Sequence, residues 1–127
     1  LSPAMGGVVI GHEIGRLLKK ETIFSERVNS KFELRRGFEI PKNKKVLIVE
    51  DVITTGKSSL ECSDLINNAS ANLIGFACLI DRTNGTSRLS KKIVSQIESK
   101  IPTYEENQLP ENLKLIPVTK PGSRNLK

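Results

Sequence analysis

The chain has 127 residues, 37% of them hydrophobic and 27% charged, with a formal net charge of +6. That is enough for one domain with a real core but not two, and the balance fits a folded globular protein rather than a disordered or membrane one. The apolar runs fall far short of the roughly 20 residues of a bilayer-spanning helix, and 4% aromatics with no Trp supply little for stacking single-stranded bases.

Ser2-Pro3-Ala4-Met5-Gly6-Gly7 reads as a tight turn of small residues. The apolar positions of the following V-V-I-G-H-E-I-G-R-L-L recur at helical spacing and predict a helix to about Lys19. Glu21 to Glu26 is short and β-compatible, and the basic stretch Arg27 to Arg36, with Asn29-Ser30 at its middle, predicts a mobile hairpin loop. Phe38-Glu39-Ile40-Pro41 leads to a solvated turn, Lys42 to Lys45, and then to four consecutive aliphatics, Val46 to Val49, the pattern of a buried strand. Ser58 to Asn68 carries Leu60, Leu65 and Ile66 as an amphipathic helix, and Leu73 to Ile80 is a second apolar strand running into Asp81-Arg82-Thr83-Asn84-Gly85.

Ile93 to Ile97 fits either strand or helix. From Pro102 onward, Pro110, Pro117 and Pro121 keep the chain loop-like. Strand, helix and strand in succession make βαβ units around a mostly parallel twisted sheet flanked by helices, an α/β fold. Cys62 and Cys78 fall in the second helix and second apolar strand without ligand spacing, and His12 is the only histidine. Two buried free thiols in a reducing cytoplasm are expected, and no metal site built from protein ligands. The chain starts Leu1-Ser2-Pro3, with neither Met nor an upstream strand, and so reads as a fragment.

The stretch V-L-I-V-E-D-V-I-T-T-G-K-S-S at 46 to 59 admits three readings. A nucleotide-binding P-loop needs a glycine five residues before Gly56 so that the backbone can curl around phosphates; Asp51 stands there and would repel them. A phospho-acceptor receiver domain opens on paired acids near its start, whereas here a loop and a helix come first. In the third reading every position has a use. Ligands of open α/β sheets lie beyond the carboxyl ends of the strands, where Glu50 and Asp51 would accept hydrogen bonds from a vicinal ribose diol. Thr54 to Ser58 would offer hydroxyls and backbone N–H groups at a helix start, a site for a terminal phosphate.

This stretch resembles the phosphoribosyl pyrophosphate signature of type I phosphoribosyltransferases. Together with S-P-A-M-G-G-V-V-I-G, F-S-E-R followed by L-R-R-G-F-E-I-P, L-I-D-R-T-N-G, and the closing I-P-T-Y-E and K-P-G-S-R, it is similar to the orotate phosphoribosyltransferase family, in its bacterial branch with a shorter active-site loop. The resemblance runs from Ser2 to about Arg124. It implies one phosphoribosyltransferase domain over 1–127, lacking the family's N-terminal hood over the base. A chain this short is expected to bind ligand weakly or not to turn over.

The resemblance further implies transfer of the 5-phosphoribosyl group from phosphoribosyl pyrophosphate to orotate, with Mg²⁺, in pyrimidine biosynthesis. A cytoplasmic homodimer without nucleic-acid or membrane partners goes with it. The position-for-position match gives Glu50 and Asp51 the ribose hydroxyls and Thr54, Thr55, Gly56, Lys57 and Ser58 the 5'-phosphate, with Val52 and Ile53 between them. Thr54 and Arg82 match orotate-contacting positions, and a planar guanidinium suits a carboxylate-bearing base. Ala4, Met5 and Gly6 form the loop facing the diphosphate, and the 27–36 loop brings Arg27, Lys31 and Arg35 toward it, so that Asp51, Arg27 and Lys31 are the catalytic candidates. Longer-loop relatives carry a Lys in the diphosphate loop and a His in the flexible loop; Met5-Gly6 and a loop without His stand here. The blander readings are that Lys57 points to solvent, Arg82 pairs with Asp81, and Arg27 and Lys31 are solvated hairpin charges. A purine phosphoribosyltransferase, or a non-catalytic regulatory protein of the same fold, is the alternative.

Overall fold

The computed structural model describes residues 1–102 and 104–117. In chain order its elements are β1 (Ser2–Pro3), α1 (Gly6–Leu18), β2 (Phe24–Val28), β3 (Lys31–Leu34), β4 (Lys45–Ile53), α2 (Lys57–Asn68), β5 (Asn72–Asp81), β6 (Ile93–Glu98), a 3₁₀ turn (Glu106–Gln108) and α3 (Glu111–Lys114). β4, β5 and β6 form a parallel sheet in that order, and β1, β2 and β3 form a second. In the second, β1 runs parallel to β2 and β2 antiparallel to β3. The two are stitched at β1: the Leu1 nitrogen donates to Leu47 O and Val49 N–H donates to Leu1 O, both at 2.9 Å.

The aliphatic run predicted as a strand is the buried centre of β4. Ile48 pairs with Phe76 and Glu50 with Cys78 in the β4–β5 ladder, and Ile48, Phe76, Cys62 and Ile66 are almost wholly buried between this face and α2. The opposite face receives α1, whose buried residues are Gly7, Gly11 and Gly15. Without side chains there, the helix backbone lies directly on the sheet: a Cβ on Gly7 would come within 2.7 Å of Val49 O, and one on Gly11 within 3.1 Å of Ser2 Cβ. That approach aims the start of α1 at the carboxyl end of β4.

The sequence expectations are modified in four places. Ser2–Pro3 is a strand rather than part of a turn, because long-range pairing with Phe24 and Ser25 overrides its local turn chemistry. The basic stretch 27–36 is largely an ordered β-hairpin, with Asn29 and Ser30 at φ 46° and 68° as its two-residue turn, a geometry that matches the twist of the flanking strands. On α2 the buried stripe is Ser59, Cys62, Ser63 and Ile66, whereas Leu60 is exposed. Ile93–Glu98, ambiguous in sequence, is a strand because it completes the ladder with β5.

After Pro102 the chain carries a 3₁₀ turn and the one-turn α3. Thr103 of I-P-T-Y-E and the K-P-G-S-R run lie outside the described residues. Among the described residues no helix is long and apolar enough to cross a membrane.

Candidate active site

β4 does not stop at its aliphatic core; it continues through both acids to Ile53. Successive strand side chains alternate between faces, so the neighbouring carboxylates separate. Glu50 turns toward α2, is buried, and accepts a hydrogen bond from Ser59 Oγ at 3.3 Å. Asp51 turns toward the start of α1. Its Oδ1 accepts the Val52 N–H at 2.9 Å, and its carboxylate lies against Gly6 so tightly that an added Cβ would fall within 2.6 Å of Asp51 Cγ and 2.7 Å of Oδ1. The absence of a side chain at residue 6 is therefore what gives Asp51 its position.

The turn after β4 exists because Gly56 adopts φ 76°, a left-handed conformation, as the residue before α2. Leu89, from the loop beyond β5, packs on it, 3.1 Å from where a Cβ would stand. Thr55 Oγ1 accepts the Lys57 N–H at 3.3 Å. The start of α2 carries no side-chain cap hydrogen bond and no acidic residue in its first turn. Such a helix start directs N–H groups and the positive end of its dipole outward, an environment for an anion.

The opposite wall is the hairpin. Arg27 stacks its guanidinium over Phe32, 4.1 Å from the ring centroid. It donates from Nη1 to Ser30 O at 2.6 Å, and the same nitrogen lies 2.8 Å from Glu61 Oε2 on α2. Below it, Ala4 N–H donates to Ser25 O at 2.8 Å, and the Ala4–Met5 peptide is cis.

These parts enclose a cavity of about 800 Å³, within the size range of small-molecule sites. Ala4, Met5, Gly6, Arg27, Glu50, Asp51, Val52, Ile53, Thr54, Thr55, Gly56, Lys57 and Ser58 all border it, from three separate segments of chain. Lys31 and Arg82 are not among its lining residues. Lys31 is exposed and pairs with Val28 at the hairpin end. Arg82 follows β5, its N–H donates to Ile53 O at 2.8 Å, and its Nε is buried without a hydrogen-bond partner among the described residues. Its neighbour Asp81 is engaged instead with the Thr83 N–H, at 2.7 Å.

Ser59, Leu89, Ser30, Phe32 and Glu61 were not singled out from the sequence. The one readable signal was polarity on the buried face of α2, where Ser59 and Ser63 replace apolar residues. The cysteines add no nucleophile. Burial pushes the Cys62 thiol up to about 11 despite its 3.3 Å contact with Ser25 Oγ, and burial likewise raises Cys78 to about 11. Among the described residues no three His, Cys, Asp or Glu side chains gather to hold a metal.

The carboxyl edge of the parallel sheet thus sets Glu50 and Asp51 beside an uncapped helix start, an α/β architecture with an anion-facing turn. The chain belongs to the phosphoribosyl transferase domain family, whose model matches residues 1–111. It is 46% identical over 126 residues to a Maricaulis maris protein named orotate phosphoribosyltransferase, covering 99% of this chain and 65% of that one. A protein of the same name from Rhizorhabdus wittichii is 47% identical over 124 residues, covering 98% and 63%. The chain thus spans somewhat less than two thirds of these relatives' length.

Solved structures share the fold. Orotate phosphoribosyltransferase from Aeropyrum pernix superposes with a TM-score of 0.63 at 21% identity, over 76% of this chain and 58% of that one. Adenine phosphoribosyltransferase from Thermoanaerobacter pseudethanolicus gives 0.69 at 17%, over 77% and 67%.

Proposed function

We propose that this chain forms the catalytic domain of an enzyme that transfers the 5-phosphoribosyl group from phosphoribosyl pyrophosphate to orotate, releasing diphosphate in pyrimidine biosynthesis. The observation that carries it is the cavity in which Asp51, backed by Gly6, adjoins the uncapped start of α2. The high identity to proteins named for orotate supports the choice of base.

In this reading Thr54 to Ser58 hold the 5'-phosphate through backbone N–H groups, Asp51 accepts hydrogen bonds from the ribose hydroxyls, and Glu50, anchored by Ser59, fixes the inner wall. The C1'–O bond breaks with its electron pair leaving on diphosphate, and a ring nitrogen of orotate forms the new bond to C1', its proton passing to the departing diphosphate. The transition state resembles an oxocarbenium ion, so the residues hold, orient and exclude water rather than attack. Ala4, Met5, Gly6 and Arg27 face the diphosphate, where fixed dipoles and a guanidinium stabilise developing charge. Arg82, whose buried Nε has no partner among the described residues, lies outside the cavity lining and takes the orotate carboxylate through its planar fork only once its side chain swings toward the cavity. Lys31 acts from the hairpin end.

Mg²⁺ is usually bound by one or two carboxylates together with substrate phosphates, which fits a site offering Asp51 beside the anion-facing turn rather than a protein cage. Bound with the substrate, it supplies neutralisation of the diphosphate charge. A cytoplasmic homodimer belongs to the same reading. Mixing the protein with orotate, phosphoribosyl pyrophosphate and Mg²⁺ should lower the orotate absorbance, and calorimetry should show phosphoribosyl pyrophosphate binding. Binding of the donor with turnover of a purine instead of orotate would reassign the base, and no binding at all would overturn the reading.

A further inference from the structure

We infer that Glu61 is a positioning residue that holds Arg27 at the wall of the cavity, so that the guanidinium is set for a phosphoanion before one arrives. The inference rests on the proposed phosphoribosyl chemistry. Arg27 and Glu61 are 34 residues apart and belong to different halves of the fold, β2 and α2, yet Arg27 Nη1 lies 2.8 Å from Glu61 Oε2. The guanidinium is held at one corner and from beneath: Nη1 pairs with Glu61 Oε2 through charge alone, without a hydrogen bond, and donates to Ser30 O at 2.6 Å, while the Phe32 ring lies 4.1 Å away. All of these contacts made through nitrogen use Nη1. Among the described residues Nε and Nη2 have no partner, and Arg27 borders the cavity together with Ser30, Phe32 and the 54–58 turn.

A guanidinium carries five N–H donors in a fixed fork, and its Nε/Nη2 edge binds two anion oxygens side by side. Tethering one nitrogen while leaving the opposite edge unpaired presents that edge to an anion without the entropy cost of ordering a long side chain on binding. The ion pair is only partly exposed, with 35% and 25% of the two side chains accessible. It is therefore less screened than an ordinary surface pair. It also joins the hairpin to the helix whose start faces the same cavity.

The test is a double-mutant cycle read by calorimetric binding of inorganic diphosphate, and separately of ribose 5-phosphate, to the chain and its Glu61→Gln, Arg27→Ala and doubly substituted forms. Glu61→Gln preserves shape and removes the charge. It is expected to weaken binding of at least one of the two anions about tenfold, as charge-assisted hydrogen bonds are typically worth that or more, and to have no further effect once Arg27 is Ala. Glu61→Asp, retaining the carboxylate, should recover part of the loss. Equal weakening by Glu61→Gln in the presence and absence of Arg27 would mean that Glu61 acts on the fold alone and would overturn the inference, as would unchanged affinity for both anions. Loss of anion binding in Arg27→Ala with no coupling to Glu61 leaves the functional reading standing while the inference falls; a chain that binds neither anion removes both.

Discussion

Replacing Gly6 by Ala separates the position of Asp51 from the stability of the fold. The new Cβ would lie within 2.6 Å of Asp51 Cγ, far inside van der Waals contact, and the part able to give way is the Asp51 side chain. Swinging it aside breaks the 2.9 Å hydrogen bond from Val52 N–H to Oδ1 and moves the carboxylate from the sugar site. Forcing a side chain off its rotamer costs about 0.5–1.5 kcal/mol. Because Gly6 is the first residue of α1, Ala regains up to about 1 kcal/mol of helix propensity. The two nearly cancel, so the melting temperature should move little. Affinity has no such offset: losing hydrogen bonds between a carboxylate and the ribose hydroxyls removes about 1.5–3 kcal/mol, roughly 10- to 100-fold in Kd. Titration calorimetry with phosphoribosyl pyrophosphate measures it, with urea unfolding as the control for stability. Affinity within twofold of the parent would refute the assignment of Asp51 to the sugar.

Arg82→Ala should weaken orotate binding at least about tenfold while leaving phosphoribosyl pyrophosphate binding intact; stability should change little, since Arg82 Nε forms no hydrogen bond within the described structure. Ile66→Ala, at a fully buried position, should cost about 2–5 kcal/mol by urea unfolding through the cavity it leaves. Cys62 gives a pH dependence: below about 9 its thiol is protonated folded and unfolded, but burial raises the folded value to about 11, so between those limits only the unfolded chain releases the proton. Stability from this residue is therefore complete below pH 9 and declines toward pH 11, by on the order of 2 kcal/mol. Urea midpoints at pH 8 and 10.5, compared with Cys62→Ala, measure that decline, and the folded thiol should resist iodoacetamide at pH 8.

What was legible in the sequence was what local chemistry decides. Val46 to Val49 could hardly be other than a buried strand, and Gly56 after Thr54-Thr55 marked a turn leading into a helix. What escaped depended on partners distant in sequence. Ser2-Pro3 becomes a strand only because Phe24 and Ser25 lie alongside, and Ile93–Glu98 settles as strand only against β5. A leucine at position 60 suggests an inward side chain, yet α2 packs through Ser59 and Cys62, and Ser59 serves Glu50. The adjacent acids read as a couple acting together; the pleat turns them to opposite faces, one toward α2 and one toward Gly6. Glu61 was invisible because an acid on an amphipathic helix is ordinary until its companion on a hairpin 34 residues away is known.

The seam at β1 has a mechanical consequence. Residues 1 to 3 carry the backbone bonds that join the hairpin half to the β4–β6 half, and the cavity walls come from both sides of that join. A sugar phosphate clasped between them would act as a rivet, raising the free energy of partial opening along the join as well as that of global unfolding. Amide hydrogens of β2 that exchange early in the empty protein would then become among the most strongly slowed when the site fills.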